Sequence, residues 1–86
     1  MGNAEPQFVR FDDVRAFELA AGVSGRPLFG AGAMINLIEL EPGAVVPLHS
    51  HPHEQLGIVL RGMQALVIDI FQPVREDYRD RWNALP

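Results

Sequence analysis

The sequence predicts an all-β fold, and three observations carry that expectation. Its main apolar stretches, 33–41, 54–60 and 65–71, are rich in the Ile, Val, Leu and Phe that suit a pleated surface. Glycine and proline turn signals separate these stretches. All three histidines of the chain fall within five positions, His49, His51 and His53, and β-forming residues flank them. A chain of 86 residues has room for one domain, 1–86, and a domain so small needs help from a metal or a partner subunit to bury enough surface.

Residues 1–7 are polar, with Pro6, and are expected to form a loose arm. Residues 8–11 form a short edge-strand candidate, after which Asp12 and Asp13 suit a capped turn. Residues 14–21 tolerate strand and helix equally. Gly22, Gly25, Gly30 and Gly32 then punctuate the chain and leave 26–29 as a short extended piece. In 33–41 apolar residues occupy both parities, as in a strand covered on both faces.

At 41–44 Pro42 presets φ and Gly43 supplies the positive φ of a turn, so 33–41 and 44–49 are expected to form a hairpin. Residues 54–60 return as a strand that turns at Arg61 and Gly62. In 65–71 the alternation puts Ala65, Val67, Asp69 and Phe71 on one face and Leu66, Ile68 and Ile70 on the other. An Asp on a strand face can be a surface charge, but Val67 and Phe71 beside Asp69 suggest a pocket wall. The opposite face is wholly aliphatic and needs a cover that so short a chain does not supply, which predicts a second subunit. Residues 73–86 leave the sheet at Pro73 as a polar tail, with a helical turn packed by Tyr78 and Trp82.

The histidines carry the chemistry. In extended chain His49 and His51 point to one face, near enough to share a metal ion, and neutral imidazole is the commonest metal ligand in proteins. A carboxylate or amide oxygen a few residues on can supply a third ligand. His53 and Gln55 continue that parity only without a turn, and Pro52 favours a turn or bulge. The alternative is a surface turn whose histidines only make hydrogen bonds.

Composition narrows the choices. A formal charge of −4, with every cation an arginine, argues against nucleic acid or an anionic membrane as partner. Without cysteine there are no disulfides or thiolate sites. No stretch reads as a signal peptide or a membrane span, so a cytoplasmic protein is expected.

At Gly43, His49, His51, Gln55 and Gly62 the chain resembles the cupin family, whose first motif reads G-x5-H-x-H-x3,4-E-x6-G. Gln55 stands where the family usually has Glu. The resemblance implies a jelly-roll-like β-sandwich or half-barrel, with His49, His51 and Gln55 as ligands of a divalent transition metal: nickel, zinc, iron, copper or manganese. Gln in place of Glu keeps the oxygen donor and removes a charge, which implies weaker binding and a more Lewis-acidic ion. The family's second motif, with its later histidine, has no counterpart after His53, so the domain reads as a shortened cupin completed by homodimerisation. The fourth ligand would come from His53, a partner chain or water.

A narrower resemblance, over Asp69, Phe71 and Arg75, is to small cupins that process unsaturated uronate sugars. It implies Asp69 as acid or base, Arg75 as the partner of a sugar carboxylate and Phe71 as an apolar wall. Against it stands a purely structural role, with Arg75 paired to Glu76 or Asp77. Three functions follow: a metal-binding cupin-like protein, a metal-dependent enzyme acting on an unsaturated uronate or similar small carboxylated substrate, and a small-ligand or regulatory β-module whose histidines are incidental.

Overall fold

A computed structural model describes residues 5–44, 52–62 and 65–86. They form a mostly antiparallel β structure with one helix, in the order β1 (Phe17–Ala20), β2 (Val23–Phe29), β3 (Met34–Leu40), β4 (Glu54–Arg61), β5 (Leu66–Gln72) and α1 (Glu76–Asn83). The strands make one five-stranded sheet in the spatial order β1-β2-β3-β5-β4. A second sheet, as a sandwich would have, is not found among the described residues.

Register explains the burial. Met34, Asn36 and Ile38 of β3 lie opposite Phe71, Asp69 and Val67 of β5, and on β2 Pro27 and Gly25 lie opposite Asn36 and Ile38. Because side chains alternate, these residues share one face of the sheet, called here the inner face. Helix α1 lies on it. The Tyr78 ring packs against Phe17 and Phe71, each at 5.7 Å between centroids, and Trp82 meets Phe29 edge-on at 5.9 Å. Met34, Phe71 and Val74 form the buried cluster beneath, and complete burial of a side chain such as Phe71 is worth about 1.5–3 kcal/mol. Glu76 and Asp77 in the first turn of α1 and Arg81 in its last complement the helix dipole.

Several expectations hold in detail. The turn after β3 closes with Ala44 N–H donating to the Glu41 carbonyl at 3.0 Å, and Gly43 has φ +80°. The alternation expected for 65–71 is the observed one: Val67, Asp69 and Phe71 face inward, and Leu66, Ile68 and Ile70 face outward.

Others are corrected. Residues 8–10 are in no regular structure and Phe11–Asp13 is a 3₁₀ turn, not the start of an edge strand. Arg26, on the outer face of β2, donates to the carbonyls of Phe11 and Val14 at 3.1 and 3.3 Å and stacks 4.4 Å over the Phe11 ring. That anchor holds 11–14 as a turn against β2. The short piece foreseen at 26–29 is the end of the longer β2, and the ambiguous 14–21 contains β1. The expected return arm of the 33–41 hairpin, 45–49, lies outside the described residues, and both edges of β3 are occupied, by β2 and by β5. The tail at 73–86 is more than one turn, because three aromatic rings of the inner face give α1 a surface to pack on.

Candidate functional site

The inner face, β4 and α1 line a partly open cavity of about 420 Å³, within the usual range of small-molecule sites. Its polar groups come from three elements: Gln55 of β4, Asp69 of β5, and Tyr78 and Arg81 of α1. Val67 and Phe71 supply apolar wall. The β4–β5 register places Gln55 opposite Phe71 and Gly57 opposite Asp69, so Gln55 and Asp69 are diagonal neighbours on one face.

Asp69 is the electrostatic centre of this cavity. Burial pushes its carboxyl above the ordinary 3.8, and a hydrogen bond from the Gln55 side chain offsets part of that rise. The carboxylate lies across β4 where a side chain is missing: a Cβ at Gly57 would sit 2.8 Å from Asp69 Oδ1. Gly57 is thus a spacing residue for Asp69. Next to Asp69, Asn36 is completely buried, with both amide atoms lacking a hydrogen-bond partner, and it lies over Gly25.

Arg75 is placed differently from a substrate clamp. Its Nε and Nη2 donate to the two carboxylate oxygens of Asp77 at 3.0 and 2.7 Å, and its guanidinium stacks 4.0 Å over Tyr78 and 5.2 Å over Phe71. The Asp77 pairing raises the pKa of Arg75, and the same hydrogen bond holds the Asp77 carboxyl below its ordinary value. Arg75 is buried at 7% exposure and is absent from the described cavity lining. The cation that does line the cavity is Arg81, which donates to the Glu18 carbonyl and stacks 5.4 Å over Phe17. Sequence reasoning missed it, although Tyr78 and Arg81 stand three apart, the spacing that puts two residues on one side of a helix.

Of the sequence-derived metal ligands, His49 and His51 lie outside the described residues, and Gln55 is on the cavity side of β4. His53 is partly buried in the bend before β4. Among the described residues no group of three or more His, Asp and Glu side chains converges to hold an ion, and none of their helices is long and apolar enough to cross a membrane. A wider hollow of about 600 Å³ by the β1–β2 turn is rimmed by Glu18, Glu39, Glu41 and Arg61, and no described residue of the sequence-derived site reaches it. No protein-family model matches the chain, and no curated protein matches it in sequence.

Proposed function

We propose that the chain is a shortened, jelly-roll-derived, cupin-like protein that holds a divalent transition metal through His49, His51 and Gln55. The observation that carries this reading is the place of Gln55, which faces a cavity of ligand size beside the Asp69 carboxylate. The donor chemistry fits a borderline cation: two imidazoles and an amide oxygen. Asp69 takes the nitrogen of the Gln55 amide as a hydrogen-bond donor, so oxygen is the atom of Gln55 suited to a cation. Asp69 also returns to the site a negative charge that Gln in place of Glu removes. When bound, the metal would supply Lewis acidity toward a carbonyl or hydroxyl oxygen.

Metal analysis tests the proposal. Chelator-stripped protein exposed in turn to nickel, zinc, iron, copper and manganese is expected to take up about one equivalent of at least one of them, and the His49→Ala/His51→Ala variant none. Equal uptake by both proteins, or no uptake by either, overturns the reading.

A second reading, a metal-dependent enzyme for a small carboxylated sugar, is favoured by Asp69 itself. A carboxyl whose pKa is raised by burial is better suited to exchange protons with a ligand than an ordinary surface aspartate. In that reading Arg81 and Tyr78 bind the ligand and Phe71 excludes water, while Arg75 braces the Phe71 and Tyr78 rings from behind. Turnover of an unsaturated uronate, abolished in Asp69→Ala with metal retained, would establish it. An unchanged rate in that variant would remove Asp69 from the chemistry.

A further inference from the structure

Strand β4 is the margin of the sheet among the described residues, and all eight of its residues are exposed. Leu56, Ile58, Val59 and Leu60 are 62, 58, 67 and 49% exposed. Natural edge strands are usually blunted by lysine, proline or an inward charge, since an open row of N–H and C=O groups invites another strand. Between Glu54 and Arg61 this strand has none of these, and the register shift it does have against β5, between Val59 and Arg61, falls at its C-terminal end.

Its outer face is part of a larger apolar surface. Leu56 lies beside Ile70, which lies beside Ile35, and Ile58 lies beside Ile68, which lies beside Leu37. This aliphatic platform is three strands wide and ends at the β4 edge. Glu54 and Arg61 stand at its two ends, and register puts both on the outer face, opposite Gln72 and Leu66.

We infer that the occupant of this edge is a second copy of the same chain, with the two β4 strands pairing antiparallel about a two-fold axis near Gly57 and Ile58. Charge selects this partner and this direction. Antiparallel pairing of β4 with itself brings Glu54 of each copy toward Arg61 of the other, two opposite-charge contacts that flank a centre of Leu56 and Ile58. Parallel pairing would set Glu54 against Glu54 and Arg61 against Arg61. The backbone groups that no described residue pairs with are satisfied on both edges at once, and the two sheets become continuous, as in strand-addition complexes. This inference does not rest on the metal reading.

Charge reversal tests it. Light scattering at low ionic strength is expected to give twice the chain mass for the wild type. Glu54→Arg and Arg61→Glu should each weaken self-association by roughly tenfold or more, because each turns both contacts repulsive. An equimolar mixture of the two variants should recover the dimer, since every contact in the mixed pair is again attractive. Ile58→Lys should be monomeric in all mixtures. The variant residues are exposed, and the recovery on mixing is read on the same two variants that fail alone, so misfolding cannot imitate it. A monomeric wild type, a dimer indifferent to Ile58→Lys, or a mixture no more associated than its components overturns the inference.

Discussion

Gly25→Ala should destabilise the protein, and the same change should stabilise it once Asn36 is shortened to alanine. A Cβ built on Gly25 would stand 2.6 Å from Asn36 Oδ1, 2.9 Å from Nδ2 and 3.1 Å from Cγ, all closer than ordinary contact. Asn36 is at 0% exposure and has no solvent to swing into, so the sheet itself must give. Overpacking of that kind costs about 1–3 kcal/mol, and at this chain length each kcal/mol lowers Tm by roughly 4–8 °C.

Asn36→Ala removes the obstructing atoms. It also removes two buried polar atoms that lack partners, a relief of about 1–3 kcal/mol that offsets much of the lost packing. Gly25 is not at positive φ, so an alanine there is free of backbone strain. On the Asn36→Ala background it should stabilise by about 0.4–1 kcal/mol through the unfolded chain. Urea denaturation of the four proteins completes a double-mutant cycle. The same sign and size of effect in both backgrounds would refute the close approach as the reason for a glycine at 25.

Two further perturbations probe the cavity and its support. For Asp69, whose folded pKa lies above 3.8, the stabilising contribution is present below the unfolded value and is lost as pH rises through the folded one. The stability of Asp69→Asn relative to wild type should therefore improve as pH is raised from about 3.8 and then level off, and parallel pH–stability curves would contradict the assignment. Asp77→Ala should cost roughly 1–2 kcal/mol by thermal melting, since it leaves the buried Arg75 fork without its partner while Asp77 itself is half in solvent. An unchanged Tm would show that ring stacking alone holds Arg75. The lowered pKa of Asp77 adds a sign: its contribution is present above the unfolded value and fades as pH falls through the folded one.

The parts of the fold legible in the sequence are those set by local rules. Alternation over Leu66–Gln72 sorts Asp69 and Phe71 from Ile68 and Ile70, because a strand side chain has only two directions to choose from. Pro42 and Gly43 mark a turn, because one restricts φ and the other allows its positive value. Residues 8–11 resisted the same treatment. Their apolar residues read as a strand, but the outcome depended on Arg26, fifteen residues beyond Phe11, bonding to its carbonyl.

What the sequence determined by itself about this protein was which side chains share a face: Asp69 with Phe71, and Ile68 with Ile70, since backbone geometry imposes that order on any extended chain. Which strands became neighbours, and so which side chains met across them, was decided only in three dimensions. The insertion of β5 between β3 and β4 set Asp69 beside Asn36 and across Gly57, and among the described residues it left β4 at the margin of the sheet. The docking of α1 brought Arg81 into the cavity and set Tyr78 against Phe17 and Phe71. Pairing and docking depend on the summed burial of residues far apart in the chain, a quantity that no local pattern contains.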